Sequence, residues 1–409
     1  MRPVHRFLCG LAISIFGLLA SEPVFGQIDP DRRQLIQLGF NQPLEGRGPI
    51  SGYAFYYRND PGFLRTNIIL RLAVAPVYLD SEVGFRNALG ENTDLGIGAA
   101  GGGFAYSYYE MRGGKFIREE SFTGHGGELS ASAYHLFNPG HLIPLSGILR
   151  VSPHYTVFER DDETSKSFVM PQDHGSLNLR GGLRFGGVEP LIDPDMAMEL
   201  SAWYETQLRQ HSGTYGFNDD RGMNSVSQLF WARALFIYTL PESKQCLSVS
   251  VTGGGSVQAD RFSAYRLGGD LPLSSEFPLI LPGYYFQEIS ARDFVNFTGQ
   301  YSIPLDPAKR WRVTGVGSVA GVDYPLGLKQ TEHVYSGIGL GMNYRSTSGA
   351  WNVMVGYGYG FDAVRSGGRG GQSIGILCQI DLEAQRRAGP WFKESASSIS
   401  TGLFRFMGR

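Results

Sequence analysis

Trp351-Asn352-Val353-Met354-Val355-Gly356-Tyr357-Gly358-Tyr359-Gly360-Phe361 alternates without a break. The odd positions are aromatic or β-branched, and the even ones are glycine, Asn352 or Met354, with Asp362 next in the series. A β-strand sends successive side chains to opposite faces, so this segment has one greasy face and one nearly bare face. The pattern recurs on both sides. Ile338, Leu340, Met342 and Tyr344 alternate with Gly337, Gly339, Gly341, Asn343 and Arg345. Ile374, Ile376, Cys378, Ile380 and Leu382 alternate with Ser373, Gly375, Gln379 and Asp381, broken only by Leu377. Leu247, Val249 and Val251 alternate with Ser248, Ser250 and Thr252. Leu177, Leu179, Leu183 and Phe185 alternate with Ser176, Asn178, Arg180 and Arg184. Less regular examples span Asn67–Leu79, Glu128–Phe137, Ser146–Phe158, Asp195–Thr206 and Val226–Leu240.

These segments run roughly 9–15 residues, and a strand that crosses a membrane needs about 9–11. Strands of soluble sandwiches are nearer 5–6. An apolar face opposite a polar, glycine-bearing face is the signature of a wall between lipid and a wet lumen. The competing reading is a large soluble sandwich or propeller. Composition agrees with the barrel. Glycine supplies 56 of 409 residues, about twice the usual share. Aromatics reach 13% and charged residues only 18%, which excludes a disordered chain. No strict glycine period supports collagen. Arg71 interrupts Ile68–Val77 and Arg233 interrupts Leu229–Leu240, so no transmembrane helix is expected. A net charge of −2 gives no basic field for nucleic acid, and none is expected as a partner.

Arg2, His5 and Arg6 precede the uncharged run Phe7–Ala20, and Ser21–Gly26 ends in small residues. That order predicts a signal peptide over residues 1–26. The run is too short to span ~30 Å of hydrocarbon comfortably. An exported barrel belongs in a bacterial outer membrane, with its lipid as partner, because an open sheet cannot sit in lipid with unpaired edges. Cys246 and Cys378 remain after cleavage. They can form a disulfide in an exported protein or stand as two buried thiols. No Cys/His cluster has zinc spacing, and no cofactor is expected.

Residues 49–382 are expected to form the barrel. Single-chain bacterial barrels use even strand numbers, and at about 21–24 residues per strand and connection this span holds 16, with 14 the alternative. Turn signals separate the strands at Asn59-Asp60-Pro61-Gly62, Asn138-Pro139-Gly140, Asp219-Asp220-Arg221-Gly222, Ser348-Gly349 and Ser366-Gly367-Gly368. Residues 27–48 read as a short periplasmic lead and 383–409 as a C-terminal tail.

Arg261–Ile289 lacks alternation and is the longest candidate loop. It carries Arg266-Leu267-Gly268-Gly269 and later Ile280-Leu281-Pro282-Gly283-Tyr284. Gly299-Gln300-Tyr301-Ser302-Ile303-Pro304-Leu305 and a strand from Trp311 to Tyr324 follow. This order resembles the C-terminal half of the Omp85 superfamily, the bacterial surface antigen barrels. The resemblance implies a 16-stranded outer-membrane barrel whose sixth loop folds into the lumen. It implies a role in inserting or translocating proteins, with unfolded or exported proteins as clients and weak pairing between the first and last strands. It carries Arg266, Gly268, Gly269, Gly283 and Tyr284 over as loop-motif residues, and Asp323 as a lumen-facing acid on the next strand. The family's loop arginine matches Pro282, and its strand glutamate matches Gln300. The periplasmic POTRA domains of the family have no counterpart in residues 27–48.

Enzyme motifs are few. Gly96-Ile97-Gly98-Ala99-Ala100-Gly101 fits a phosphate-loop pattern but no helical pattern follows it. Gly371-Gln372-Ser373-Ile374-Gly375 fits a nucleophile elbow, yet the run continues as a strand, so Ser373 is expected to face the lumen. His135 and His154 lie in strands without an evident acidic partner, and no catalytic residue is assigned. Arg180, Arg184 and Arg345 are expected as lumen charges that favour anions, or as wall charges balanced by Glu199, Glu205, Asp362 and Asp381. Three readings therefore stand. They are an Omp85-like barrel that handles proteins and is not an enzyme, a passive porin or structural barrel, and an outer-membrane lipid hydrolase.

Overall fold

The computed structural model describes residues 31–389, apart from 50, 105, 273–275, 329 and 331. The expected signal peptide, 1–26, and the tail beyond residue 389 lie outside the described residues. Sixteen antiparallel strands form one closed barrel. The first five are β1 (Arg33–Pro43), β2 (Ser51–Pro61), β3 (Ile68–Ala75), β4 (Tyr78–Gly90) and β5 (Thr93–Gly102). Next come β6 (Thr123–Leu136), β7 (Leu145–Glu159), β8 (His174–Gly187), β9 (Met196–Arg209), β10 (Val226–Thr239) and β11 (Cys246–Val257). The last five are β12 (Asp293–Pro304), β13 (Trp311–Asp323), β14 (Val334–Arg345), β15 (Trp351–Arg365) and β16 (Gly368–Asp381). A short helix, α1 (Leu382–Ala388), begins the tail, with Asp381 Oδ1 accepting from the Glu383 and Ala384 amides at 2.9 Å as its N-cap. No helix of the described residues is long and apolar enough to cross a membrane.

The 16-strand count agrees with the expectation, but the boundaries differ. Arg33–Pro43, expected within a periplasmic lead, is the first barrel strand. It pairs with β2 on one edge and with β16 on the other. Leu35 lies opposite Asp381 and Pro43 opposite Ser373 along that seam. The expected weak pairing of first and last strands is therefore not what the structure has. The period-two signal was present: Leu38 and Phe40 are exposed on the outer face, while Leu35, Gln37 and Asn41 are buried inside. The strand's three glutamines, Asn41 and Pro43 masked it.

The alternation of Trp351–Phe361 is borne out. Val355, Tyr357 and Phe361 are exposed outside, while Asn352, Gly358 and Gly360 are buried inside. Outward-facing Leu129, Leu149, Leu183, Leu200, Val295, Ile338 and Leu340 continue an exposed apolar band. Inward positions are small or polar, including Ser130, Ser132, Ser201, Asn296, Ser302 and Ser318, all buried. Cross-strand aromatic pairs stiffen the outer face. Tyr204 lies opposite Phe230 with ring centroids 4.9 Å apart, and Trp311 lies opposite Tyr344 at 4.7 Å.

The two ends differ. At one end strands are joined by tight connections, such as Glu91-Asn92 between β4 and β5. At the other end lie the long segments 103–122, 160–173, 210–225 and 258–292. Cys246 and Cys378 are both free thiols, on β11 and β16.

If the outer band faces hydrocarbon, a charge in its middle is costly. Leu340→Arg, on the exposed face of β14, is expected to lose about 2–4 kcal/mol of folding stability in lipid vesicles. Denaturant titration with gel-shift detection of the folded barrel reads this loss, and a change near zero would place the band in water.

Candidate functional site: a loop held inside the barrel

The chain between β11 and β12 runs from Gln258 to Arg292, and it turns back against the inward face of the wall. Tyr265–Leu267 pairs with Ile289–Ala291 as a short antiparallel root. Leu267, Leu281, Tyr284, Ile289 and Ala291 are almost fully buried against Phe294, Ala320, Val322 and Tyr335 of β12, β13 and β14. Each fully buried leucine or isoleucine among them stabilises docking by about 1.5–3 kcal/mol. Gly268 and Gly269 take positive φ of 124° and 86° where the chain leaves the root, conformations that favour glycine. The Leu281 amide donates to the Gly269 carbonyl at 3.2 Å, folding the loop on itself.

The tip is Pro282-Gly283-Tyr284, and it lies backbone against backbone on the wall. A Cβ added at Gly358 would sit 2.6 Å from the Gly283 nitrogen, and one at Gly371 would sit 2.6 Å from the Gly283 oxygen. A Cβ at Gly360 would meet the Tyr284 ring at 2.6 Å, and one at Gly337 would collide with the Pro282 carbonyl. Part of the bare face of β14, β15 and β16, expected to face a wet lumen, is here covered by the loop tip. Polar contacts fix the tip. The Gly283 amide donates to Ser373 Oγ at 3.1 Å, and the Tyr284 hydroxyl donates to the Ser336 carbonyl at 3.1 Å.

A wall arginine reaches the same tip. Arg365 donates to Glu288 through Nη1 at 2.8 Å and Nη2 at 2.9 Å, a bidentate pair with both side chains buried. Its Nη2 also donates to the Gly283 carbonyl at 3.3 Å, and its guanidinium lies 3.8 Å from the centre of the Tyr285 ring. The loop position where the resemblance leads one to expect arginine is Pro282. Here the cation comes from the wall and the loop supplies the carboxylate. Strict alternation from Phe361 would point Arg365 outward. A bulge between Gly360 and Val364 shifts the register and brings Ala363 and Arg365 inside.

Asp270 ties the loop to the seam. Its Oδ2 accepts from Asn41 Nδ2 on β1 and from Ser373 Oγ on β16, both at 2.6 Å. Burial pushes its carboxyl up to about 6, although the two hydrogen bonds oppose the shift. The Tyr285 hydroxyl donates to the Glu45 carbonyl between β1 and β2 at 3.0 Å.

Farther along the lumen, Glu276 accepts from Arg180 Nη2 at 3.0 Å and from Arg184 Nη2 at 2.5 Å. Burial alone would raise its carboxyl, but Arg180 and Arg184 outweigh that and hold it near 2. Phe277 meets Trp203 and Trp231 edge-on, with centroids 5.6 Å and 5.9 Å away. A lumen cavity of about 1310 Å³ borders this cluster and extends to Pro190 and Ile192 at the short-turn end.

The expected site residues thus divide. Gly268, Gly269, Gly283 and Tyr284 belong to the docked loop. Arg266 does so less directly, with its guanidinium 4.8 Å from the centre of the Tyr108 ring and its Nη2 donating to the Arg261 carbonyl at 3.1 Å. Tyr108 belongs to an aromatic cluster of the long connecting segments with Phe122, Phe168 and Tyr215. Asp323 stands half-exposed at the end of β13, paired with Arg292, and does not reach the loop tip. Arg180 and Arg184 face the lumen. Arg345 does not join them; it sits at the short-turn end of β14, 3.7 Å from Asp195. Ser373 faces inward as expected and is taken up by Asp270 and Gly283. Arg365, Glu288, Asp270 and Glu276 were not singled out from sequence. The bulge hid the first, and the others lie in a loop with no period.

The architecture defines a closed 16-stranded barrel with the connection after its eleventh strand folded into its own lumen. Solved structures share this barrel fold, in keeping with the Omp85 resemblance of the loop sequence. CdiB from Acinetobacter baumannii matches with a TM-score of 0.54 at 10% identity, covering 87% of this chain and 61% of that one. CdiB from Escherichia coli matches at 0.52 and 11% identity over 86% and 64%. BamA from Haemophilus ducreyi lacking POTRA domains 1–3 matches at 0.53 and 10% identity over 86% and 71%. This chain therefore spans under two thirds of the length of either CdiB chain. No protein-family model matches the sequence, and no curated protein matches it.

Removing one partner of a buried ion pair leaves the other charge stranded, at a cost of about 3–5 kcal/mol. Arg365→Met should therefore free the loop and speed tryptic cleavage after Arg266, and Glu288→Met/Arg365→Met should recover much of the protection. Protonation gives a second expectation. The docked Asp270 holds its proton up to about pH 6, above the ordinary value of about 3.9. Docking is then strongest below about pH 4 and weakens as pH rises to about 6. Hydrogen exchange of residues 268–272, corrected for intrinsic rates, should show this fall, and Asp270→Asn should flatten it.

Proposed function

We propose that this chain is an outer-membrane barrel that handles polypeptide clients in the manner of Omp85-type proteins, exported by a signal peptide at residues 1–26. The observation that carries the reading is the long connection between β11 and β12, held in the lumen by a buried ion pair, a glycine-lined dock and a link to the closing seam. Three separate attachments of one loop across the lumen favour a barrel closed at rest over an open diffusion pore. The exposed apolar band and the difference between short and long connections support insertion in an outer membrane, with the long segments outside. The fold shared with BamA and CdiB supports protein clients over small solutes.

On this reading the loop is the element that decides whether the lumen is closed. The wall contributes rigid, hydrogen-bonded strands and the arginines that hold the loop. Client chemistry is then binding and release without covalent steps, and no catalytic residue is required. Ser373 is engaged by Asp270 and Gly283, and no histidine is among its hydrogen-bond partners in the described residues, which favours a structural role for it over that of a hydrolase nucleophile.

Planar-bilayer recording tests the reading against a porin. The purified chain is expected to show no steady, ion-selective conductance, and deletion of residues 268–284 is expected to open one. A steady pore in the undeleted chain would overturn the proposal in favour of passive diffusion.

A further inference from the structure

Between its tip and its root the loop places two side chains, Glu276 and Phe277, in a box built by β8, β9 and β10. The box has three cations. Arg233 is matched by Glu199 of the wall, with Nη2 to Oε2 at 2.6 Å and Nε to Oε1 at 3.1 Å. Arg180 and Arg184 are matched chiefly by Glu276; Glu199 lies 3.7 Å from Arg184 Nε. Without the loop, two guanidinium groups would face the lumen short of counter-charge, an unfavourable state.

The aromatic half is equally specific. Arg180 lies 4.6 Å and 4.9 Å from the ring centres of Trp203 and Trp231, whose planes stack within 11° at 6.2 Å. Phe277 completes the box, with Arg233 at 4.6 Å from its ring centre. Arg233 Nη1 also donates to the Glu276 backbone carbonyl at 3.1 Å, so the box reads main chain as well as side chains. The indole N–H groups of Trp203 and Trp231 are buried and find no protein acceptor among the described residues. A site made only to hold Glu276 and Phe277 would have no reason to keep spare donors. The Glu276 side chain keeps 41% of its surface open to the adjoining cavity, so its ion pairs can exchange without first unfolding the wall.

The geometry points to a peptide-binding site that the chain's own Glu276-Phe277 occupies in the resting state, and whose ligand is a client polypeptide carrying a carboxylate beside an aromatic ring. This deepens the polypeptide-handling reading and rests on it. An incoming segment of that chemistry replaces the loop's carboxylate with its own, keeps both arginines paired throughout, and can use the two free indole donors.

The test uses the full chain purified in detergent and a fluorescein-labelled Glu-Phe-Pro-Leu peptide, the sequence of residues 276–279. By fluorescence anisotropy, Glu276→Gln/Phe277→Ala should bind the peptide about tenfold or more tightly than the unmodified chain. Adding Arg180→Gln/Arg184→Gln should abolish that gain, and the Gln-Phe-Pro-Leu and Glu-Ala-Pro-Leu peptides should bind poorly. Heat-modifiable gel mobility reports folding of each variant. In the unmodified chain, which needs no folding control, excess Glu-Phe-Pro-Leu should speed tryptic cleavage after Arg266, and Glu-Ala-Pro-Leu should not. The site is overturned if the emptied box binds no more tightly than the occupied one, if binding survives loss of both arginines, or if the peptide leaves the loop as protected as before. A barrel that binds the peptide yet conducts as a porin would sink the polypeptide-handling role alone; one that stays closed but ignores the peptide would sink this site alone.

Discussion

A sheet surrounded by hydrocarbon has no water to satisfy the backbone at its edges, and each unmet N–H or C=O there costs several kcal/mol. In this chain that constraint falls on β1 and β16, which pair from Leu35 opposite Asp381 to Pro43 opposite Ser373. Pro43 has no N–H to give, and the ladder is extended by the Leu44 amide donating to the Gln372 carbonyl at 2.9 Å. The loop is attached to this same closure. Asp270 takes one hydrogen bond from each of the two closing strands, and Tyr285 reaches the connection just beyond β1. Opening the seam and releasing the loop are therefore coupled events: separating Asn41 from Ser373 breaks the site in which the Asp270 carboxyl rests.

Inside the closed wall, glycine does work that bulk side chains cannot. Backbone can lie on backbone only where no Cβ intervenes, and the tip lies on Gly337, Gly358, Gly360 and Gly371. The four come from three neighbouring strands and make one bare patch. Gly283 answers from the loop with φ of 84° and no room for a side chain, since a Cβ there would run into the Gly360 nitrogen. The glycines of the C-terminal strands thus have a specific cause in the close approach of the loop. They shape a dock for one particular turn of chain.

Much of this was legible because period two survives in single strands. Trp351–Phe361 and Ile338–Tyr344 gave the face, the length and so the barrel. Readings failed where that period is interrupted. Glutamines and a proline disguised Arg33–Pro43 as a lead, although Leu38 and Phe40 kept the outward rhythm. Asn67–Leu79 merged β3 with the start of β4 because the reversal at Pro76-Val77 is too short to carry a turn signature. The bulge after Gly360 inverted the side on which Arg365 falls. The loop motif was recognisable through its glycines and Tyr284, yet its charged partners were not, because an ion pair between residues 288 and 365 leaves no local trace in sequence. Asp323 and Arg345 show the reverse error. They have suitable charge on suitable strands, but they sit at strand ends, away from the site.

The loop's attachments differ in how readily each lets go. At the tip, apolar burial and backbone contact are insensitive to salt, and the Arg365–Glu288 pair is dry enough to be screened little. At the seam, Asp270 responds to proton concentration. In the box, Glu276 faces the cavity with 41% of its side-chain surface open, so mobile ions reach it first. The segment between root and tip is thus the weakest hold, while Arg365 and the glycine dock remain engaged. On the proposed polypeptide-handling reading, such an order would let the middle of the loop exchange with another chain while Arg365 and the glycine dock still hold the tip.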